Sequence, residues 1–504
     1  MSKKKIIFTN GIIGLVSQFL AQILQFFIRK VILQYIGVEI LGISSTLTSV
    51  ISMLSLSEMG FQQAVVFCLY KPLNERDCYK INRILTVLKR VYEVIGIIFI
   101  LGTLVMSPFL KYILKGIIID KVIILYYFAI CMNMVMSYML SYRRALLYAD
   151  QREYISKTID TVTNIVISAV ELIAICYYKS FAAYLILQIM QTIISNVIVN
   201  KYCDYNYPYL NICKFEYDIF KDIFEDVKNV FVSKLAGFVY GATDNLVISA
   251  FAGTVNVGYL SNYTVFITAL KQIINSIFNS MTPIIGNMLV EDKAQDNQEE
   301  KFQIYAYVRY ILSTIIVVPW LLLANDLIQI LFGIQYVLDN KIVVLLAIDL
   351  YIHIVYSICC EYINGCGYFK FDRNIAMIGA CINLICSIML VFQINIYGVL
   401  AGTVISQMFF WAARSWIVYK NILLAPQNKY WRYLIENIFR ILIVCGVILI
   451  SRFINDLFTH DNILVSFIRQ FTICEAVNLL TQIIVLGFDP KRKIVLKILK
   501  KYRR

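Results

Sequence analysis

The chain is 504 residues long, 60% hydrophobic and 15% charged, with a mean hydropathy of +0.72 and a formal net charge of +14. That balance excludes a water-soluble globular protein. Apolar stretches near 20 residues, the length that crosses a hydrocarbon core of about 30 Å, recur from end to end, so the expected fold class is an all-α integral membrane protein and not a barrel.

About fourteen transmembrane helices are expected, over 6–36, 40–69, 84–110, 122–142, 155–178, 181–200, 230–252, 256–290, 303–331, 340–364, 374–394, 396–419, 433–454 and 462–487. In the first, Gly11, Gly14, Gln18, Gln22, Gln25 and Arg29 recur every three or four residues and so share one helical face. Lipid cannot satisfy amides, and an intramembrane cation costs about 2.5 to 3.5 kcal/mol on insertion scales, so that face is expected to meet protein or water. Lys30, beside Arg29, lies about seven residues or roughly 10 Å before Gly37, within reach of headgroups by snorkelling. In the second span Ser45, Thr48, Ser52 and Ser55 lead towards Glu58, and the fifth span carries a lone acid, Glu171.

The longest connection, 201–229, contains "KFEYDIFKDIFEDVKN", where Phe215, Ile219, Phe220, Ile223, Phe224 and Val227 recur at helical spacing. Two readings stand side by side there, an interfacial amphipathic helix and an extension of the next span. The seventh span carries Lys234, Gly237, Gly241 and Asp244, and the eighth Thr264, Thr268, Lys271, Asn275 and Asn279. In the tenth, Asp349 and His353 are four apart and share a face, suited either to a coupling proton or to an interhelical hydrogen bond. Arg469 and Glu475 in the last span are six apart and fall on different faces.

An offset of 216 residues superimposes Gly37 and Gly42 on Gly253 and Gly258, and also Thr48 on Thr264, Ser52 on Thr268, Ser55 on Lys271 and Gln18 on Lys234. Two similar halves, parallel and related by an axis along the membrane normal, are therefore expected. The domain reading is an N-terminal lobe at 1–200, a cytoplasmic linker at 201–229, a C-terminal lobe at 230–420, and two further spans with a basic tail at 421–504. Lys3, Lys4 and Lys5 precede the first span and the tail from Lys491 is basic, which places both termini in the cytoplasm by the positive-inside rule. The same rule accounts for the net charge, since cations at helix ends meet anionic headgroups, and nucleic acid is not an expected partner.

The polar faces suggest a wet cavity whose cations, Arg29, Lys234 and Lys271, meet an anionic ligand, with Gln18, Gln22, Gln25, Ser52, Thr268 and Asn275 bonding sugar hydroxyls. Glu58, Asp244, Asp349, His353 and Glu171 are the candidates for coupling to an ion. The 13 cysteines are scattered, His353 and His460 lie far apart, and no zinc spacing occurs, so neither a disulfide framework, a metal nor a cofactor is expected. "GVEILGIS" lacks the lysine of a phosphate loop, which argues against direct use of ATP. Loops outside the membrane are too short for a catalytic domain, so an enzyme such as a glycosyltransferase or polymerase is not expected.

A basic start with Asn10, "FFIRKVILQYIGVEILGI" from Phe26, "LSEMGFQQAVVFCLYKPL" from Leu56 with Glu58, Gly60 and Ala64, and "LLYADQREYI" after the fourth span carry a resemblance. With them the chain resembles a polysaccharide or lipid-linked oligosaccharide flippase of the multidrug/oligosaccharidyl-lipid/polysaccharide exporter superfamily. The resemblance implies two six-helix lobes in a V shape plus two C-terminal helices. It also implies an undecaprenyl-pyrophosphate-type carrier flipped to the outer leaflet of the bacterial cell membrane, working beside glycosyltransferases and a polymerase. "GYFKFDRNIA" after the tenth span is a looser match, and Asn245 stands where the second half would repeat Arg29. A peptidoglycan-precursor flippase and a multidrug cation antiporter share the plan and are the competing readings.

Overall fold

In the computed structural model, which describes residues 3–54, 61–221, 223–224, 243–279, 285, 295–366, 368–458 and 462–488, the chain is helical, with no strand among those residues. Eleven described helices are long and apolar enough to cross a membrane, and Val38–Met53 is a shorter apolar helix. The fold is all-α and membrane-spanning, as the composition demands.

The chain divides into two compact units, Met1–Ser261 and Asn262–Arg504. The first holds α1 (Lys3–Tyr35), α2 (Val38–Leu54), α3 (Phe61–Glu75), α4 (Cys78–Met106), α5 (Lys121–Ser141), α6 (Arg144–Ala149), α7 (Glu153–Tyr178), α8 (Phe181–Asn206) and the first two turns of α9 (Thr254–Asn279). The second holds the rest of α9 and α10 (Gln295–Leu331), α11 (Asn340–Gly365), α12 (Phe369–Ile394), α13 (Ile396–Ile417), α14 (Gln427–Asp456) and α15 (Ile463–Phe488).

Several helices start earlier than their apolar runs, because capping residues set the boundary and hydropathy does not. Asp77 accepts the Lys80 amide at 2.9 Å and opens α4 six residues before the expected 84. Asp120 accepts the Ile123 amide at 2.9 Å to open α5 one residue before the expected 122, while Asp339 accepts that of Lys341 at 3.0 Å to open α11 at 340, where it was expected. The single span read over 40–69 corresponds to two described helices, α2 and α3, the second running on through Pro72 to Glu75. The described part of the seventh span closes in a π-helical turn, Ile248–Ala252, before Gly253 at φ +106°.

In the first unit, Asn10 of α1 donates through its amide to the Gln151 carbonyl (2.8 Å) and accepts the Tyr154 amide (2.9 Å). It thereby acts as an N-cap for α7 from another helix, satisfying a backbone N–H that the helix itself leaves open. This gives the "YADQREYI" stretch a structural meaning: the loop must present its backbone to α1.

α2 and α9 cross backbone to backbone. A Cβ on Gly42 would collide with the Thr254 carbonyl, and one on Gly258 with the Val38 carbonyl. Val38 and Gly42 correspond to Thr254 and Gly258 under the 216-residue offset, so each half makes on the other the contact the other makes on it. The end of this crossing is buttressed by the segment after α4, where Ser249 Oγ donates to the Ile113 carbonyl (2.7 Å), the Thr254 amide to the Lys115 carbonyl (3.1 Å) and Lys115 Nζ to the Phe251 carbonyl (2.7 Å).

After α8 the chain does not leave the unit. Residues 209–213 run along α4 as an extended strap whose backbone is read by two side chains: Asn82 donates to the Tyr209 carbonyl (2.7 Å) and accepts the Asn211 amide (3.2 Å), and Thr86 Oγ1 accepts the Cys213 amide (3.0 Å). Arg83 pairs with Glu216, and Tyr207 OH donates to Asp150 (2.6 Å). Burial, with Asp150 alongside, pushes the Tyr207 hydroxyl above its ordinary pKa. Of the amphipathic segment expected at 215–227, the described residues 217–221 and 223–224 are helical, and Phe220 and Phe224 pack against Phe61 at the start of α3.

In the second unit α12 and α13 form a tight hairpin. Gly398 and Gly402 of α13 lie against the backbone of Leu390 and Ser387, with Asn383 Nδ2 donating to Thr403 Oγ1 (3.0 Å). An aromatic core of Phe302, Tyr362, Tyr419 and Tyr433 packs α10, α11 and α14 around the end of this hairpin.

Candidate functional site

The polar face of α1 is half open: Gln18, Gln22 and Arg29 are partly buried and Gln25 is exposed. Arg29 Nη1 donates to Ser261 Oγ at 2.8 Å. Its position in the second half, Asn245, donates to Ser49 Oγ at 3.2 Å, one helical turn beyond Ser45, the counterpart of Ser261. On α2, Ser52 is partly buried, and Asp244 is partly buried at the end of the seventh span. Lys234, Gly237, Gly241, Ser55, Glu58 and His460 lie outside the described residues.

Arg29 and Glu171, proposed for different tasks, prove to be neighbours of one group. The Tyr184 hydroxyl on α8 is close enough to sense the charge of both. Glu171 is fully buried on α7 and accepts Gln188 Nε2 at 2.6 Å, while its Oε2 has no hydrogen-bond partner among the described residues.

In the second unit the expected mobile cation is tied down. Lys271 Nζ sits 2.6 Å from Asp349 Oδ2, and Gln407 Nε2 donates to Asp349 Oδ1 at 3.0 Å. Asp349 and His353 do share a face of α11, but the carboxylate's bonds run to α9 and α13. The His353 ring is partly buried beside Tyr356 and its Nε2 has no hydrogen-bond partner among the described residues. On α9, Thr268 is exposed and Asn275 partly buried.

Three ion pairs escaped sequence reasoning, one fully buried and two partly buried. Arg309, with no exposed surface, pairs with Glu361, lies 3.7 Å over the Phe278 ring, and shares Glu361 with Tyr305 OH (2.6 Å). Arg414 pairs with Asp372 (2.7 Å) and stacks on Phe410 (4.8 Å). Arg144 forks onto Asp160 through Nη1 to Oδ2 (2.7 Å) and Nη2 to Oδ1 (2.8 Å). A lone arginine in "YVRYI" and a lone acid in "CCEYI" were the available signals for the first; nothing in the spacing of the others linked them.

The Arg144–Asp160 pair borders a cavity of about 450 Å³ inside the first unit, lined by α5, α7 and α8 with Gln62 of α3 and Tyr148 of α6. Its wall is mostly amide and hydroxyl, with Ser137, Thr163, Gln188, Gln191, Thr192 and Ser195 among the contributors. Gln188 belongs both to this wall and to the Glu171 bond.

A family model described as polysaccharide biosynthesis protein matches residues 7–289. No curated protein sequence matches the chain. Among solved structures the chain is similar to one described as the lipid II flippase MurJ in an inward closed conformation, with 15% identity, 95% of this chain and 99% of that chain covered and a TM-score of 0.68. It is also similar to an inward-facing multidrug resistance MATE family transporter of the MOP superfamily (14% identity, 81% and 97% covered, TM-score 0.60). The Vibrio cholerae MATE transporter VcmN in its bent form gives 16% identity, 83% and 96% covered and a TM-score of 0.53. The fold is the one these three solved structures share.

Proposed function

The chain belongs to the polysaccharide biosynthesis protein family, and from that premise we propose that it flips a polyprenyl-pyrophosphate-linked oligosaccharide repeat unit from the cytoplasmic to the outer leaflet by alternating access. The carrier would be of the undecaprenyl type, the membrane the bacterial cytoplasmic one with both termini inside, and the flanking steps those of glycosyltransferases and a polymerase. The observation that carries the reading is Arg29, a guanidinium on a glutamine-lined helix face that donates to a neutral hydroxyl, Ser261. A planar fork of donors in that setting suits phosphate oxygens. Lys271, in the second unit, is open to an anionic ligand only when Asp349 lets it go, so the Lys271–Asp349 pair supplies an exchange of one anion for another. Glu171, whose charge reaches the same tyrosine as Arg29's, is the coupling-ion candidate best placed to respond. Asp349, His353, Asp244 and Glu58 remain in that role as proposed, with Lys234 as a third cation.

The test is flipping of a labelled polyprenyl-pyrophosphate oligosaccharide in reconstituted vesicles. Arg29→Ala should lower the rate at least tenfold at an unchanged unfolding temperature. Normal flipping by Arg29→Ala would reject its phosphate role, and a wild-type protein that flips nothing would reject the function.

A further inference from the structure

The cavity of the first unit has a different chemistry from the Arg29 face. Its lining cation, Arg144, is fully engaged: besides the fork onto Asp160, Nε donates to Asn196 Oδ1 (2.7 Å) and Nη2 to Ser195 Oγ (2.9 Å). The two lining charges cancel, so the cavity offers no excess positive charge to a phosphate. What it offers is a row of amides and hydroxyls on successive turns of α8. The Thr192 and Ser195 protons go to Asn133 and Asp160, and one amide proton each of Gln188 and Gln191 to Glu171 and Asn164. That leaves hydroxyl oxygens that accept and amides with a second N–H, so the row still both accepts and donates. A sugar hydroxyl also does both, whereas a phosphate only accepts. The half-exposed Asp160 carboxylate, held flat by the arginine, presents two oxygens to neighbouring hydroxyls, and Tyr138 and Tyr148 give the apolar faces that a pyranose C–H surface packs against. The volume of about 450 Å³ is that of a small-molecule site.

We propose that this cavity is a carbohydrate subsite that takes uncharged sugar residues of the cargo's glycan. The proposal rests on the flippase reading. Gln188 belongs to the cavity wall and donates to the buried Glu171 on α7, so the cavity reaches one of the candidate coupling groups. On this reading the headgroup's phosphate goes to Arg29 and its sugars to the cavity. Its hydrogen bonds, each modest and exchangeable, favour release as much as capture.

The experiment compares two probes in reconstituted vesicles, a polyprenyl pyrophosphate carrying a disaccharide and the same carrier without sugar. It is paired with saturation-transfer NMR of free chitobiose and maltose on the protein in nanodiscs. Ser137→Phe, which fills the cavity, and Gln191→Leu, which removes an amide at nearly equal size, should each slow the glycosylated carrier at least tenfold, leave the bare carrier within twofold, and abolish the saturation-transfer signal of the sugars. Arg29→Ala should slow both carriers. Equal slowing of both carriers in a folded Gln191→Leu protein would overturn the subsite in favour of a water or ion path, as would unchanged transport of both or the absence of a sugar signal with wild type. A wild-type protein that moves neither carrier, yet gives a sugar signal that Gln191→Leu abolishes, would sink the flippase reading and uphold the subsite.

Discussion

Gly42 and Gly258 meet across the α2–α9 crossing, each lying where a methyl group would strike a carbonyl of the other helix. The contact is backbone on backbone, so neither neighbour can move a side chain aside. Gly42→Ala and Gly258→Ala should each destabilise the protein by about 1–3 kcal/mol, the usual range for overpacking a close contact. Gly446→Ala is the control, since a Cβ there has open space, and it should be neutral or slightly stabilising. Thermal unfolding in nanodiscs reads all three, and an undiminished Gly258→Ala protein would mean the helices do not touch there.

Asn10 donates to the Gln151 carbonyl through Nδ2 and accepts the Tyr154 amide through Oδ1, two different atoms serving the two bonds. Asn10→Ala should cost about 1–2 kcal/mol, as losing an N-cap does. Asn10→Asp, which keeps only the acceptor, should fall between. Hydrogen exchange should then speed up at the start of α7 and remain unchanged in α12, and uniform exchange across both would count against the assignment.

Breaking one side of the Lys271–Asp349 pair leaves a buried charge unmatched. Lys271→Ala and Asp349→Ala should each destabilise by about 3–5 kcal/mol, and the double variant by clearly less than their sum. If Lys271 also meets cargo, the double variant will recover its fold and not its transport. Recovery of both would reduce the lysine to a structural part.

Asp339 caps α11, and its carboxyl is held below the usual carboxylate range by the Lys341 amide first and Tyr397 OH second. A depressed folded pKa contributes stability that is complete above the unfolded value, near 3.8, and is lost as pH falls through the folded one. Wild type should therefore lose unfolding temperature faster than Asp339→Asn as pH drops from about 5 to 3. Parallel curves would show that the cap does not sense its charge.

Much of the fold was legible because a bilayer leaves the chain few options: every backbone group must be satisfied within a helix, and apolar length reports the crossing. Boundaries were less legible, since Asp77 and Asp120 decide them through single hydrogen bonds that hydropathy averages away. Arg29 announced itself by its spacing to three glutamines. Lys271 did not announce its partner, because Asp349 lies 78 positions on and only packing brings them within 2.6 Å. The cavity was invisible for a similar reason: Asp160, Gln191 and Ser137 are ordinary polar residues on three separate spans until those helices converge.

The reciprocity of Val38 and Gly42 with Thr254 and Gly258 has an evolutionary reading. It is the geometry by which one half-length polypeptide would clasp a twin, the same patch serving both partners about a two-fold axis. In such an ancestor any exchange at the glycine would have been felt twice.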